Sequence, residues 1–246
     1  MSRRILGVVR YDLGVAVRNG EQLLLVLGIP VLLLVFFANV DVLPTGDGEP
    51  IDFLAPGVLA LAVMSTAMTN LAIGLGFDRE YGFLVRLGVT PLRRGELLAG
   101  KVLLVLVQLA VQLVVLLPAS AALGWDPDWS GLSTLLGATV LGAVAFGAVG
   151  FLLAGSFRGL LVLAAANALY VVLLLVGGMV IDLAELPSAI ANVAELLPPA
   201  ALAELFRDAF GGAEGDVARA WTVLAVWASL APLVAARAFR WAPTRA

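Results

Sequence analysis

The chain has 246 residues, of which 61% are hydrophobic and 13% charged, about half the charge of an ordinary soluble domain. That deficit excludes a soluble enzyme and a disordered tail, and a net charge of -3 offers nucleic acid no basic surface. With no Cys and no His, the chain cannot build a disulfide framework, a Cys/His zinc site or a Ser-His-Asp triad.

The N-terminal stretch, residues 3–18, reads as an amphipathic helix. At 100° per residue, Arg3, Arg4, Gly7, Arg10, Tyr11, Gly14 and Arg18 fall on one arc, and Ile5, Leu6, Val8, Val9, Leu13, Val15, Ala16 and Val17 on the other. Such a helix lies flat in the headgroup layer, as a simple anchor or as a hold on a partner.

Beyond it, the charges are spaced like membrane boundaries. Six uncharged runs of 19, 25, 24, 29, 23 and 17 residues lie between Glu21 and Asp41, Asp52 and Asp78, Lys101 and Asp126, Asp128 and Arg158, Arg158 and Asp182, and Arg219 and Arg237. At 1.5 Å per residue the first run reaches about 28 Å, close to the hydrocarbon thickness of a bilayer. The expected spans are residues 22–40, 53–77, 102–124, 131–155, 160–181 and 217–239 of a single all-α, polytopic membrane domain with six transmembrane helices. A cleaved signal peptide does not fit residues 1–40, because both the basic region and the apolar run are too long and Ala38-Asn39-Val40 is a poor cleavage site.

The connections differ in character. The loop from Asp41 to Asp52 is short and broken by Pro44, Gly46, Gly48 and Pro50. Between spans five and six, Pro187, Pro198-Pro199 and Gly211-Gly212 cut residues 184–212 into two short helices, either re-entrant in the outer leaflet or a surface hairpin. Lys and Arg set the orientation: 13 of the 15 lie before span one, after spans two and four, and after span six, leaving Arg207 and Arg219 on the other side. Both termini are therefore expected in the cytoplasm, with the chain in the cytoplasmic (inner) membrane.

Familiar catalytic motifs are missing or accidental. Gly95 to Lys101 matches the start of a phosphate-binding loop, yet Val102 stands where Ser or Thr holds magnesium, and no strand precedes it. Gly74-Leu-Gly76 lacks the third glycine of a dinucleotide site. No uncharged run contains a carboxylate for metal, acid-base or ion-coupled work. Neutral polar groups remain: Ser65, Thr66, Thr69 and Asn70 in span two, Gln108 and Gln112 in span three, Asn167 and Tyr170 in span five. The pairs 65/69 and 66/70 would form one stripe, for packing helices or for lining a pathway. Ala138, Gly142, Ala143, Gly147 and Gly150 give span four the small-residue spacing of a close helix contact.

Two segments resemble a known family. The loop Asp78-Arg-Glu-Tyr-Gly82-Phe-Leu-Val-Arg86-Leu-Gly-Val-Thr90-Pro91-Leu92, continuing to Lys101, resembles the cytoplasmic loop after the second span in permeases of the type-2 ATP-binding-cassette (ABC) exporters. Gly177-Gly178, Leu186-Pro187 and the stretch from Leu197-Pro198-Pro199 through Arg207 to Gly211-Gly212 are similar to that family's segment between spans five and six. Val85 departs from the pattern, which often has an acidic residue before the Arg.

The resemblance implies a coupling helix docked on a separate ABC ATPase subunit, present in two copies, and a second permease in a homo- or heterodimer. Arg79, Glu80 and Arg86 would make charged contacts with that ATPase, and Phe83, Leu84 and Leu87 would fill its groove. Gly82 belongs to the same motif, and Thr90, Pro91 and Leu92 would turn the chain into span three. Spans two and five would face the pathway with Ser65, Thr66, Thr69, Asn70, Asn167 and Tyr170. The chain itself would bind no cofactor and catalyse nothing, with ATP and Mg held by the partner, and would move a hydrophobic or amphipathic substrate among membrane lipids. Other readings are a non-transporting membrane assembly factor and a membrane-embedded lipid-modifying enzyme.

Overall fold

A computed structural model describes residues 3–18, 20–38, 50–212 and 215–239. Among these, every regular element is helical, as a chain poor in charge requires, because a helix satisfies its backbone polar groups internally where water is absent. Helix α1 (Arg3–Arg18) is followed by α2 (Gly20–Ala38), 19 residues containing Pro30. Asn39 and Val40, the expected end of the first span, lie outside the described residues.

The second span is one rod from Ile51 to Glu80 with an interruption. Its parts are α3 (Pro50–Met64), a six-residue π segment (Ser65–Asn70) and α4 (Leu71–Glu80). At Gly82 the backbone turns left-handed (φ 75°), which breaks the rod and starts the short helix α5 (Phe83–Gly88). Helix α6 (Arg94–Ala122) begins inside the expected loop, because the Arg93 N–H donates to Glu96 Oε2 at 2.9 Å and caps it.

Helix α7 (Leu132–Ser156) follows a single 3-10 turn whose Asp128 accepts from the Ser130 N–H and hydroxyl at 2.9 and 2.8 Å. Those two hydrogen bonds, backbone first, hold the exposed Asp128 carboxyl below its usual pKa. Helix α8 (Gly159–Val176) is shorter than the uncharged run suggests. It stops at Gly177, Gly178 takes φ 65°, and the backbone through residue 181 is irregular. Helices α9 (Ser188–Ala194) and α10 (Pro198–Ala209) meet at a bend of 79°, and α11 (Val217–Ala238) closes the bundle, capped by Asp216.

Among the described residues, five helical segments are long and apolar enough to cross a membrane: Ile51–Glu80, Arg94–Ala122, Trp129–Ser156, Gly159–Val176 and Val217–Ala238. The bent α9/α10 pair would make a sixth by length and composition, and α2 is a shorter apolar helix over Leu27–Phe36. Helix α7 is the hub, touching α3, α4, α6, α8, α10 and α11. Its small residues permit this. A Cβ on Gly142 would stand 3.1 Å from Leu202 Cδ1, and one on Gly150 would stand 2.6 Å from the Met68 carbonyl oxygen. Helix α10 is buried nearly throughout, against α3, α7 and α11.

Candidate functional site

The loop after the second span is built from the end of α4 outward. Arg79 is almost wholly buried (2% exposed), and its guanidinium Nη1 donates to the carbonyl oxygens of Ala154 and Phe157 at 3.0 and 2.9 Å. Those carbonyls belong to the C-terminal end of α7, where a cation is favoured by the helix dipole. The next residue, Glu80, accepts from the Gly159 N–H at 2.6 Å, so its carboxylate caps the N-terminal end of α8. Adjacent charges of opposite sign therefore clasp the two sides of the α7–α8 turn. This engages Arg79 and Glu80 within the chain, a role that sequence spacing does not reveal.

Helix α5 is anchored by Leu84, which is fully buried in the main core. Phe83 and Leu87 are part-buried against the same core, and Phe83 stacks on Tyr11 of α1 with ring centroids 5.4 Å apart. Three of the residues assigned to an ATPase groove thus face their own bundle. The outward face is instead Tyr81, Val85, Arg86 and Val89, with Tyr81 79% and Val89 86% exposed. After α5, the Thr90 hydroxyl donates to the Leu87 carbonyl at 2.6 Å and accepts from the Leu92 N–H at 3.4 Å, closing the turn through exposed Pro91 and half-buried Leu92 into α6.

Beneath α5 lies an ionic cluster absent from the sequence reading. Lys101 of α6 is buried, with its ammonium 2.9 Å from Asp12 of α1 and 3.6 Å from Asp78 of α4. The amphipathic wheel leaves Asp12 unremarked, and nothing in the sequence pairs Asp78 and Lys101 with it. A Cβ on Gly100 would stand 3.0 Å from Val8 Cγ1, so α1 lies against α6 closely enough to bring the pair together.

The polar groups of the expected pathway separate. In the π segment, Thr66 and Thr69 are buried while Ser65 and Asn70 are half-buried. Thr66 Oγ1 donates to Gln112 Oε1 at 3.1 Å, joining the second and third spans, and Thr69 Oγ1 is buried with no hydrogen-bond partner among the described residues. On α8, Asn167 is exposed and donates to the Leu163 carbonyl of its own helix at 2.9 Å, and Tyr170 is half-buried. Asn70 lines a cavity with Thr66, Gln108, Asp78 and Lys101; Asn167 and Tyr170 do not line it. Among the described residues no group of His, Cys, Asp and Glu could hold a metal ion.

At the opposite end, the second motif closes on itself. The Arg207 guanidinium of α10 donates to the Gly178 carbonyl and lies 4.2 Å from the centre of the Phe53 ring. The irregular backbone after α8 is pressed so tightly on α3 that a Cβ at Gly57 would overlap the Met179 carbonyl oxygen. Trp125 and Trp129 pack edge-on against Phe210 nearby.

No curated protein matches the chain. The family model described as ABC-2 type transporter matches residues 5–210, a stretch that takes in α1, the clasp, the ionic cluster and α10. The membrane domain of that family is a permease component that normally works with an ATPase subunit. This chain, an all-helical membrane protein, belongs to the ABC-2 type transporter family.

Proposed function

We propose that the chain is the membrane-spanning half of an exporter that moves a hydrophobic or amphipathic substrate across the cytoplasmic membrane, driven by a separate ABC ATPase. The clasp carries this reading. A push on α5 reaches α4 through the short turn at Gly82, and α4 is tied through Arg79 and Glu80 to α7 and α8. One external contact would thereby move several spans as a unit. The chain holds no nucleotide motif, so the energy would come from two ATPase subunits that carry the ATP and Mg, acting on a dimer of permeases. Both termini would lie on the cytoplasmic side with α5, in line with the partition of Lys and Arg.

Docking would use the exposed face of α5 and its flanks: Tyr81, Val85, Arg86 and Val89. Leu84, Phe83, Leu87, Gly82, Thr90, Pro91 and Leu92 would hold that face in place, with Arg79 and Glu80 behind it. Ser65, Thr66, Thr69 and Asn70, with Asn167 and Tyr170 of α8, would offer a cargo neutral hydrogen bonds that carry no charge to desolvate.

The test is co-purification with the ATPase. Val89→Asp or Arg86→Glu places an unmatched charge at the contact, at about 2–5 kcal/mol or at least ~30-fold in affinity, while the permease itself melts as wild type. Leu84→Ala, by contrast, empties a core position and lowers the permease's own stability by about 2–5 kcal/mol. Normal ATPase stoichiometry and transport in Val89→Asp and Arg86→Glu would exclude this surface.

A further inference from the structure

Two cavities meet at the Asp12–Lys101 pair. The first, of about 170 Å³, has a mixed lining whose polar groups run from Asp78 and Lys101 toward Asn70, Gln108 and Thr66. The second is an apolar groove of about 440 Å³ between α1 and the α5–α6 turn, lined by Gly7, Val8, Phe83, Leu87, Pro91 and Leu97. Tyr11, Asp12 and Lys101 line both. The groove alone lies within the usual ~300–1,000 Å³ of ligand pockets. Together the cavities have the shape of an amphiphile, a charged head beside an apolar tail.

We propose that they seat one membrane lipid with a zwitterionic, primary-ammonium headgroup, its acyl chain in the groove and its head at the ionic cluster. Charge selects the head. Two carboxylates and one ammonium leave a surplus negative charge, and Asp78 carries it more loosely than Asp12. The Asp78 side chain is 37% exposed and 3.6 Å from Lys101, against 11% and 2.9 Å for Asp12. An incoming ammonium can donate to Asp78, and the Lys101 ammonium, which carries three N–H donors, can turn one of them to a phosphate oxygen. A lipid with phosphate and no ammonium brings a second negative charge to the surplus and leaves Asp78 unmatched. A quaternary ammonium balances the charge but donates no hydrogen bond. Position selects a lipid over a soluble amphiphile, because the groove is walled by the amphipathic α1, with Arg10 and Leu6 exposed on it. The site rests on a membrane surface at this end of the bundle and does not depend on ATPase docking.

The full-length chain is reconstituted in nanodiscs of equal parts phosphatidylethanolamine, phosphatidylcholine and phosphatidylglycerol, released into mild detergent, and its retained lipid identified by native mass spectrometry. Wild type should retain phosphatidylethanolamine about tenfold over phosphatidylglycerol, with phosphatidylcholine between them. Asp78→Asn should abolish that preference. Gly7→Leu, whose Cβ meets no atom within 4 Å, should fold normally and lower retention of all three lipids by filling the groove. Equal retention of the three lipids by wild type, an unchanged preference in Asp78→Asn, or unchanged retention in Gly7→Leu would each overturn the assignment. ATPase binding is read in neither variant, so a failure here leaves the docking surface standing.

Discussion

Arg79 shows how one residue can satisfy two accounts of its position. Counted as a cation, it supports the placement of its loop on the cytoplasmic side. In the fold it is a buried donor to two α7 carbonyls, and its neighbour Glu80 caps α8. Arg79→Leu removes two charge-assisted hydrogen bonds, each contributing about 1.5–3 kcal/mol, and should lower the melting temperature of the purified permease by many degrees. Arg86→Glu, on the exposed face, should leave that temperature unmoved. Equal melting of both variants with wild type would show that the clasp is not structural. The sequence marks the residues of this loop but not their directions, because a six-residue helix has too few turns for a pattern to identify its buried side. Only the packing of Phe83 on Tyr11 and of Leu84 in the core fixes it. Asp12 is harder still to read. Nothing in its own segment signals the Lys101 that pairs with it from the first third of α6.

At the scale of elements, the uncharged runs locate helices well and misplace ends where backbone conformation decides. Gly177 and Gly178 end α8 inside an uncharged run, and Arg94 opens α6 inside a charged loop. The π segment has a similar origin. The stripe expected from i, i+4 spacing assumes 3.6 residues per turn, whereas Ser65–Asn70 is a π segment in which Thr66, Ala67, Met68 and Thr69 are buried in succession, so no single polar stripe forms. The environments of the two threonines differ, and so should their variants. Thr66→Val breaks the hydrogen bond to Gln112 and should lower stability by around 0.6 kcal/mol, the average for such contacts between membrane helices. Thr69→Val breaks none and should melt as wild type, while changing which compounds stimulate ATP hydrolysis by the assembled transporter. A stability loss in Thr69→Val with an unchanged stimulation profile would assign that hydroxyl to packing. The small residues of α7 are the most legible element of all, since Gly150 meets the Met68 carbonyl too closely for a larger side chain and Gly142 packs tightly on Leu202.

In the topology proposed for the whole molecule, α1, α5 and the clasp would lie at the cytoplasmic end and Arg207, Gly178 and the tryptophans at the other. Lacking cysteine, the chain accepts single reporters without background. A cysteine at exposed Gly212 should react with an impermeant thiol reagent in intact cells, and one at exposed Gly95 only after the membrane is opened. Labelling of position 95 in intact cells would invert the topology. The central claim, that a separate ATPase engages the outward face of α5, is tested most directly by a photoreactive amino acid at Val89 in the complex with the co-purified ABC ATPase. Cross-linking from position 89 and none from position 212 is the expected result; cross-linking from 212 with none from 89 would contradict it.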